Sequence, residues 1–185
     1  MNSSRWTVPA MIMAMIVIVA SANYLVQFPI NDWLTWGALT YPISYFVTDL
    51  TNRWCGVRDA RRVVYVGFGL AVLVSMVLAS PRIAMASGAA FLASQLLDIS
   101  VFDRLRRRGW WQPPLFSSAI GSALDTALFF ALAFYATGVP WVTLALGDYA
   151  VKLGIALLML MPWWWMARRG SPFERSAPRR DPADG

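Results

Sequence analysis

The 185-residue chain contains no histidine. An imidazole general base, a Ser-His-Asp triad and any His-liganded metal site are therefore excluded. It has one cysteine, Cys55, so no intrachain disulfide and no Cys-x-x-Cys redox or zinc pair can form. Its one lysine, Lys152, sits in Val151-Lys152-Leu153, which is not a phosphate-cradling Walker loop. Gly67-Phe68-Gly69 lacks the third glycine of a dinucleotide turn and reads as helix packing. No cofactor and no metal are expected. Charge is also scarce. Charged residues make up 14% of the chain, against about 25% in an ordinary soluble domain. This shortage excludes a disordered chain and argues against a soluble one.

What is present is apolar: 58% of the residues are hydrophobic. At about 20 apolar residues per span, the length accommodates five to seven membrane helices. Long apolar runs with short polar interruptions predict six, at 8–28, 36–54, 63–80, 84–102, 115–137 and 142–166. Pro9, Pro113, Pro114 and Pro140 are expected just before helix starts, where a missing N–H costs little. Pro29 and Pro81 are expected after helix ends. Asn23, Gln27 and Pro29 follow the first run without a small-residue cleavage pattern, so it reads as a span and not a signal peptide.

The charges test this map. Of the 16 basic residues, 14 fall before the first span or after the second, fourth and sixth. The opposite loops hold only Arg82, and Lys152 lies inside the last span. An even, six-pass topology puts all 14 on one side, which by the positive-inside rule is the cytoplasm, with both termini there. All ten tryptophans fall at or near span ends, as in the aromatic belts of bilayer proteins. The net charge of +6 therefore reads as membrane anchoring, and nucleic acid is not an expected partner. The expected organisation is all-α: a six-helix transmembrane domain over 1–168 and a disordered cytoplasmic tail over 169–185, rich in Pro, Arg, Asp and Ser.

Ionisable groups inside the hydrocarbon are costly and mark functional candidates. Here they are Asp49, Asp98, Asp125, Asp148 and Lys152, joined by uncharged Asn23, Gln27, Gln95, Ser118 and Ser122. Asp125 lies about 15 Å into the fifth span, near the midplane, with no charged neighbour within a turn. Asp148 and Lys152 stand at i,i+4 with the acid first, the order that suits an intrahelical pair. Asp49 has Arg53 at i,i+4, and Asp98 precedes an arginine-rich loop, so structural pairing is open for both. Gln95 and Asp98 share one helix face, and Ser118, Gly121, Ser122 and Asp125 share another. Pro42 should kink the second span, either to line a pocket or as a bend satisfied by Thr40 and Ser44. These residues fit a small-solute transporter with a polar midplane site. They also leave open an intramembrane enzyme using an Asp–Asp or Ser–Lys arrangement. A scaffold or assembly factor would leave the ionisable groups without a purpose.

A family resemblance rests on several short stretches taken together. They are Asn23-Tyr24-Leu25-Val26-Gln27, Thr48-Asp49-Leu50-Thr51 with Arg53 and Gly56, and Gln95-Leu96-Leu97-Asp98 leading to Trp110-Trp111. Ser117, Gly121, Asp125 and Thr126 follow, then Asp148-Tyr149 with Lys152 and Pro162. From about residue 20 to 165 the chain resembles the queuosine precursor transporter family, also called the vitamin uptake transporter family. It departs in a short connection near residues 80–82. The resemblance implies an inner-membrane importer of 7-deazaguanine bases, with a fold similar to energy-coupling-factor substrate-binding components. It implies a substrate site drawn from Asn23, Asp49, Gln95, Asp98, Asp125 and Lys152. One carboxylate would accept the N–H and exocyclic amine on one edge of the base, an amide would donate to its carbonyl, and Tyr45 or Phe129 would stack on the ring. The chain carries no ATP motif. A gradient, metabolic trapping or a separate ATPase module would supply the energy, the last making it a substrate-binding subunit for another vitamin. Membrane lipid is the expected surrounding, and a homo-oligomer is left open.

Overall fold

The computed structural model describes residues 4–25, 28–31, 33–78 and 81–168; the expected tail, 169–185, lies outside the described residues. Helices dominate. In chain order they are α1 (Ser4–Leu25), α2 (Trp36–Thr40), α3 (Ile43–Cys55), α4 (Val57–Leu78), α5 (Pro81–Leu105), α6 (Gln112–Phe134) and α7 (Trp141–Arg168). A small antiparallel pair, β1 (Pro29–Asn31) with β2 (Leu34–Thr35), lies between α1 and α2. The all-α expectation holds apart from this hairpin, which is too short to leave an alternating apolar pattern.

Each expected apolar run corresponds to one helix, except the second, which is divided into α2 and α3. The division falls at Tyr41-Pro42. Pro42 has no N–H to continue the helix, and the chain turns through Ser44 N to Tyr41 O (2.9 Å) and Tyr45 N to Pro42 O (3.2 Å). Several helices begin earlier than hydropathy indicates. Pro9 lies inside α1, not before it, close enough to the start that only one backbone bond is forfeited. Pro113 and Pro114 lie in the first turn of α6, where N–H groups have no intrahelical partner in any case. Pro81 opens α5. The helix α4 starts at Val57, ahead of the apolar run, because its charged first turns are helical too, with Arg62 and Asp59 paired at 3.2 Å. Gly56, at φ 88°, makes the corner between α3 and α4; an L side chain would be strained there.

Two packed groups make up the molecule. Met15 and Val19 of α1, Val47 of α3, Val63 and Val64 of α4 and Phe91 and Ile99 of α5 form one core. The helices α5, α6 and α7 pack in sequence beside it. Close approach depends on small residues. A Cβ on Gly67 would sit 2.6 Å from Met15 Cγ, and one on Gly88 would sit 3.1 Å from Val72. This is the packing mode of helices in lipid, where close contact replaces the hydrophobic drive. Large apolar side chains point outward, Val77 (84% exposed) and Met161 (81%) the most extreme. Among the described residues, Pro81–Leu105, Gln112–Phe134 and Trp141–Met166 are long and apolar enough to cross a membrane, and Thr7–Ala22 is a shorter apolar helix. The chain is read here as a membrane protein.

Bonds between elements identify the two ends of the bundle. At one end Arg106 donates to Asn52 O (2.9 Å) and to Asn52 Oδ1, and Trp163 Nε1 donates to Trp110 O (2.8 Å). At the other, Arg82 donates to Leu132 O (3.0 Å) and Tyr135 O (2.6 Å). The described clusters of basic residues, Arg53 to Arg62 and Arg104 to Arg108, belong to the first end.

Candidate functional site

The late turns of α6 and the early turns of α7 face each other near the Arg82 end. There Lys152 Nζ meets Asp125 Oδ2 at 2.7 Å, Asp148 Oδ2 at 2.5 Å and Thr126 Oγ1 at 3.1 Å. An ammonium has three hydrogens, and all three are engaged. The ring of Tyr41 lies 5.2 Å from Nζ, within cation–π range. Asp125 is equally occupied. Its Oδ1 accepts from Tyr41 OH (3.0 Å) and from Ser94 Oγ (3.4 Å). Thr126 Oγ1 donates to Asp148 Oδ2 at 2.9 Å. Asp148 is the most open of the three charged side chains, 13% exposed against 5% for Asp125 and 4% for Lys152. Two carboxylates against one ammonium leave an excess negative charge.

This cluster forms one wall of a cavity of about 140 Å³. The remaining walls are mainly aromatic and apolar, with Trp33 from the hairpin, Tyr41 from the break in the second span, and Phe129, Phe130 and Phe134 from α6, and with the hydroxyl residues Thr35 and Ser87 among them. An engineered protein cavity of about 150 Å³ admits a benzene ring, so this space suits a planar aromatic guest. Its polar equipment can accept N–H donors and attract a cation. The break at Pro42 thus helps to line a pocket: Tyr41 lies on the cavity wall, whereas Thr40 Oγ1 bonds Gly37 O (3.2 Å), which already accepts from Tyr41 N, and not the Ala38 carbonyl that Pro42 leaves without its N–H donor.

The residues singled out from the sequence divide into groups. Asp125 and Lys152 meet and line the cavity. Gln95 does not line it. Its Nε2 donates to Ser44 Oγ (2.9 Å), and its Oε1 accepts from Thr48 Oγ1 (2.6 Å), fixing α5 to α3. Asp49 and Asp98 lie apart, toward the basic end. Asp49 accepts from Ser117 Oγ (3.0 Å) and Ser118 Oγ (3.3 Å), whereas neither oxygen of Asp98 has a hydrogen-bond partner among the described residues. The arginines after α5 thus do not reach Asp98. Asn23 falls in α1 with its side chain outside the described residues, and Gln27 lies outside the described residues altogether. Of the expected stacking rings, Phe129 lines the cavity, while Tyr45 is buried beneath it. Sequence reasoning left Asp148, Tyr41, Thr126 and Trp33 out of the site. For Asp148 the signal was present in its i,i+4 spacing to Lys152; Trp33 depends on a hairpin that hydropathy does not announce.

The family model described as "Putative vitamin uptake transporter" matches residues 35–80 and 72–167. A protein of Haemophilus influenzae named "Probable queuosine precursor transporter" is 36% identical, over 80% of each chain. The "Queuosine precursor transporter" of Escherichia coli K12 is 34% identical, again over 80% of each. A Bacillus subtilis protein, also named "Probable queuosine precursor transporter", is 28% identical over 75% of this chain and 73% of its own. These relatives are named as transporters and not as enzymes. No solved structure matches.

Proposed function

Because the chain belongs to the vitamin uptake transporter family, we propose that it imports a 7-deazaguanine base used for tRNA queuosine, and that the base binds in the cavity between α2, α6 and α7. The observation that carries this reading is the pairing of an aromatic-walled cavity of about 140 Å³ with an acid-rich charge cluster. A 7-deazaguanine offers an N–H and an exocyclic amine along one edge, and one carboxylate accepts both. Asp148 is the acid with open surface, so it meets this edge first. Reaching Asp125 requires displacing Tyr41 or Lys152. An aminomethyl substituent would add a cation, which the excess negative charge favours. Phe129 and Tyr41 supply stacking faces.

The membrane reading extends in the same way. Six spans, with α2 and α3 as the halves of one, put the basic ends of α3, α5 and α7 on the cytoplasmic face of the inner membrane, together with both termini. The cavity then lies toward the outer face, where a substrate arriving from outside would enter. A fold like the substrate-binding components of energy-coupling-factor transporters is compatible with six helices around a ligand at one end.

The test is uptake of labelled 7-deazaguanine bases into cells that lack their own import and synthesis, read as queuosine in tRNA. Restoration by this protein, failure of its Asp125→Asn variant and weakened restoration by Asp148→Asn are expected. No uptake by the intact protein, or co-purification with an ATPase module and transport of a different vitamin, would replace this reading with that of a substrate-binding subunit.

A further inference from the structure

Below the cavity, toward the basic end, two buried acids lie side by side. Asp49 on α3 is 1% exposed and Asp98 on α5 is 0% exposed. Asp49 is supplied with donors by Ser117 and Ser118. Asp98 has none, and its polar neighbours are Asp49 and Ser117, whose hydroxyl is directed at Asp49.

The groups facing the pair offer little cation. From α3 comes Tyr45, whose hydroxyl also lacks a partner among the described residues, and from α6 Asp125, engaged with Lys152. From α7 comes Lys152 itself, held by three other oxygens. At the helix ends, Arg106 of α5 is taken by Asn52 and Asp103, and Arg62 of α4 by Asp59. A cavity of about 10 Å³ joins Asp49, Tyr45, Ser118 and Ser122 to Lys152. That is the room one water needs.

Two adjacent buried carboxylates with no ion-paired cation among the described residues cannot both stay ionised in a membrane-embedded interior. One proton removes one charge and creates the O–H that can bond to the neighbouring oxygen. We infer that Asp49 and Asp98 form a proton-binding site separate from the ligand cavity, with the proton on Asp98, and that this proton crosses the membrane with the substrate. The placement on Asp98 follows from the donors: the Ser117 and Ser118 hydroxyls bond to Asp49, and among the described residues no hydroxyl is directed at Asp98. In the transport step a proton passes from water on the cavity side to an oxygen of Asp98 and from there to water at the basic end; no electrons move. The small cavity lets the state of the pair be felt at Lys152, and so at the substrate cluster. The proton site stands without the transport reading; its coupling to uptake rests on it.

Two measurements on the full chain in liposomes separate these. Infrared spectra without substrate at neutral pH should contain a protonated-carboxyl absorption that Asp98→Asn removes and Asp49→Asn retains. An absorption missing from the wild type, or unaltered by Asp98→Asn, overturns the site. Second, an inwardly directed proton gradient should drive accumulation of a labelled 7-deazaguanine base by the wild-type protein and acidify the lumen. Asp98→Asn should lose this accumulation while exchange of substrate at equal pH survives. Accumulation indifferent to the proton gradient, or driven by sodium instead, overturns the coupling even if the variant does not fold. A carboxyl absorption with no transport of the base under any gradient would leave the proton site standing and remove the substrate assignment.

Discussion

Lys152 bridges two acids of different helices: Asp125 of α6 at 2.7 Å and Asp148, one turn back on α7, at 2.5 Å. The ammonium therefore compensates charge and joins the helices at once. Removing one partner of a buried pair costs about 3–5 kcal/mol, because the remaining charge is stranded. Lys152→Ala strands two acids. It should lower the melting temperature in detergent markedly. Adding Asp125→Asn and Asp148→Asn to it should recover most of the loss, since no stranded charge then remains in this cluster. Equal melting temperatures for the single and triple variants would contradict the electrostatic account.

The two acids should be separable by function. Asp125→Asn leaves Lys152 paired with Asp148, so the protein should still insert at near-normal levels while uptake is abolished. Asp148→Asn leaves the Asp125–Lys152 pair intact but removes the acid most open to the cavity. It should raise the apparent KM before it damages the fold. Immunoblots of membranes alongside uptake curves distinguish these outcomes. Undiminished uptake by Asp125→Asn would exclude it from the site.

The hairpin should act as part of the cavity wall. A Cβ on Gly147 would stand 2.8 Å from the Trp33 carbonyl oxygen, a backbone atom that cannot rotate away. Gly147→Val should therefore push the β1–β2 hairpin outward and withdraw the Trp33 ring from the cavity. Weakened substrate binding is expected, with Trp33→Ala producing a similar loss by simple removal of the ring. A binding titration on both variants checks this. Full affinity in either would show that the hairpin does not hold the ligand.

Much of this was legible in the chain because membrane helices impose strong rules. Apolar runs, the distribution of arginines and the tryptophans at span ends lead to helices close to those found, and Pro42 marks the break. Helix starts were less legible, since charged turns such as Arg58 to Arg62 are helical without being apolar. The site was legible in part. The i,i+4 spacing of Asp148 and Lys152 is local and can be read. The meeting of Lys152 with Asp125 requires knowing which faces of α6 and α7 oppose each other. Gln95 illustrates the converse. A polar residue at membrane depth looks like a ligand contact, yet Ser44 and Thr48 absorb both ends of its amide. Sequence shows that such a group needs partners, not whether those partners belong to the protein or to a guest.

The tightest packing beside the acid pair yields a last test. A Cβ on Gly121 would lie 2.9 Å from Tyr45 Cε1, 3.2 Å from Asp98 Cβ and 3.3 Å from the Ser94 carbonyl oxygen. The Tyr45 ring is buried and has little room to retreat. Overfilling of this kind costs about 1–3 kcal/mol. Gly121→Ala should therefore destabilise the protein, separating α6 from α3 and α5 where Ser94 reaches Asp125. Gly69→Ala is the matching control. Nothing lies within 4 Å of its Cβ position, and alanine is the better helix former by about 0.5–1 kcal/mol. Thermal unfolding in detergent should move the two variants in opposite directions. A Gly121→Ala protein as stable as the wild type would mean that Tyr45 can move aside, and that the packing around Asp98 is looser than these distances require.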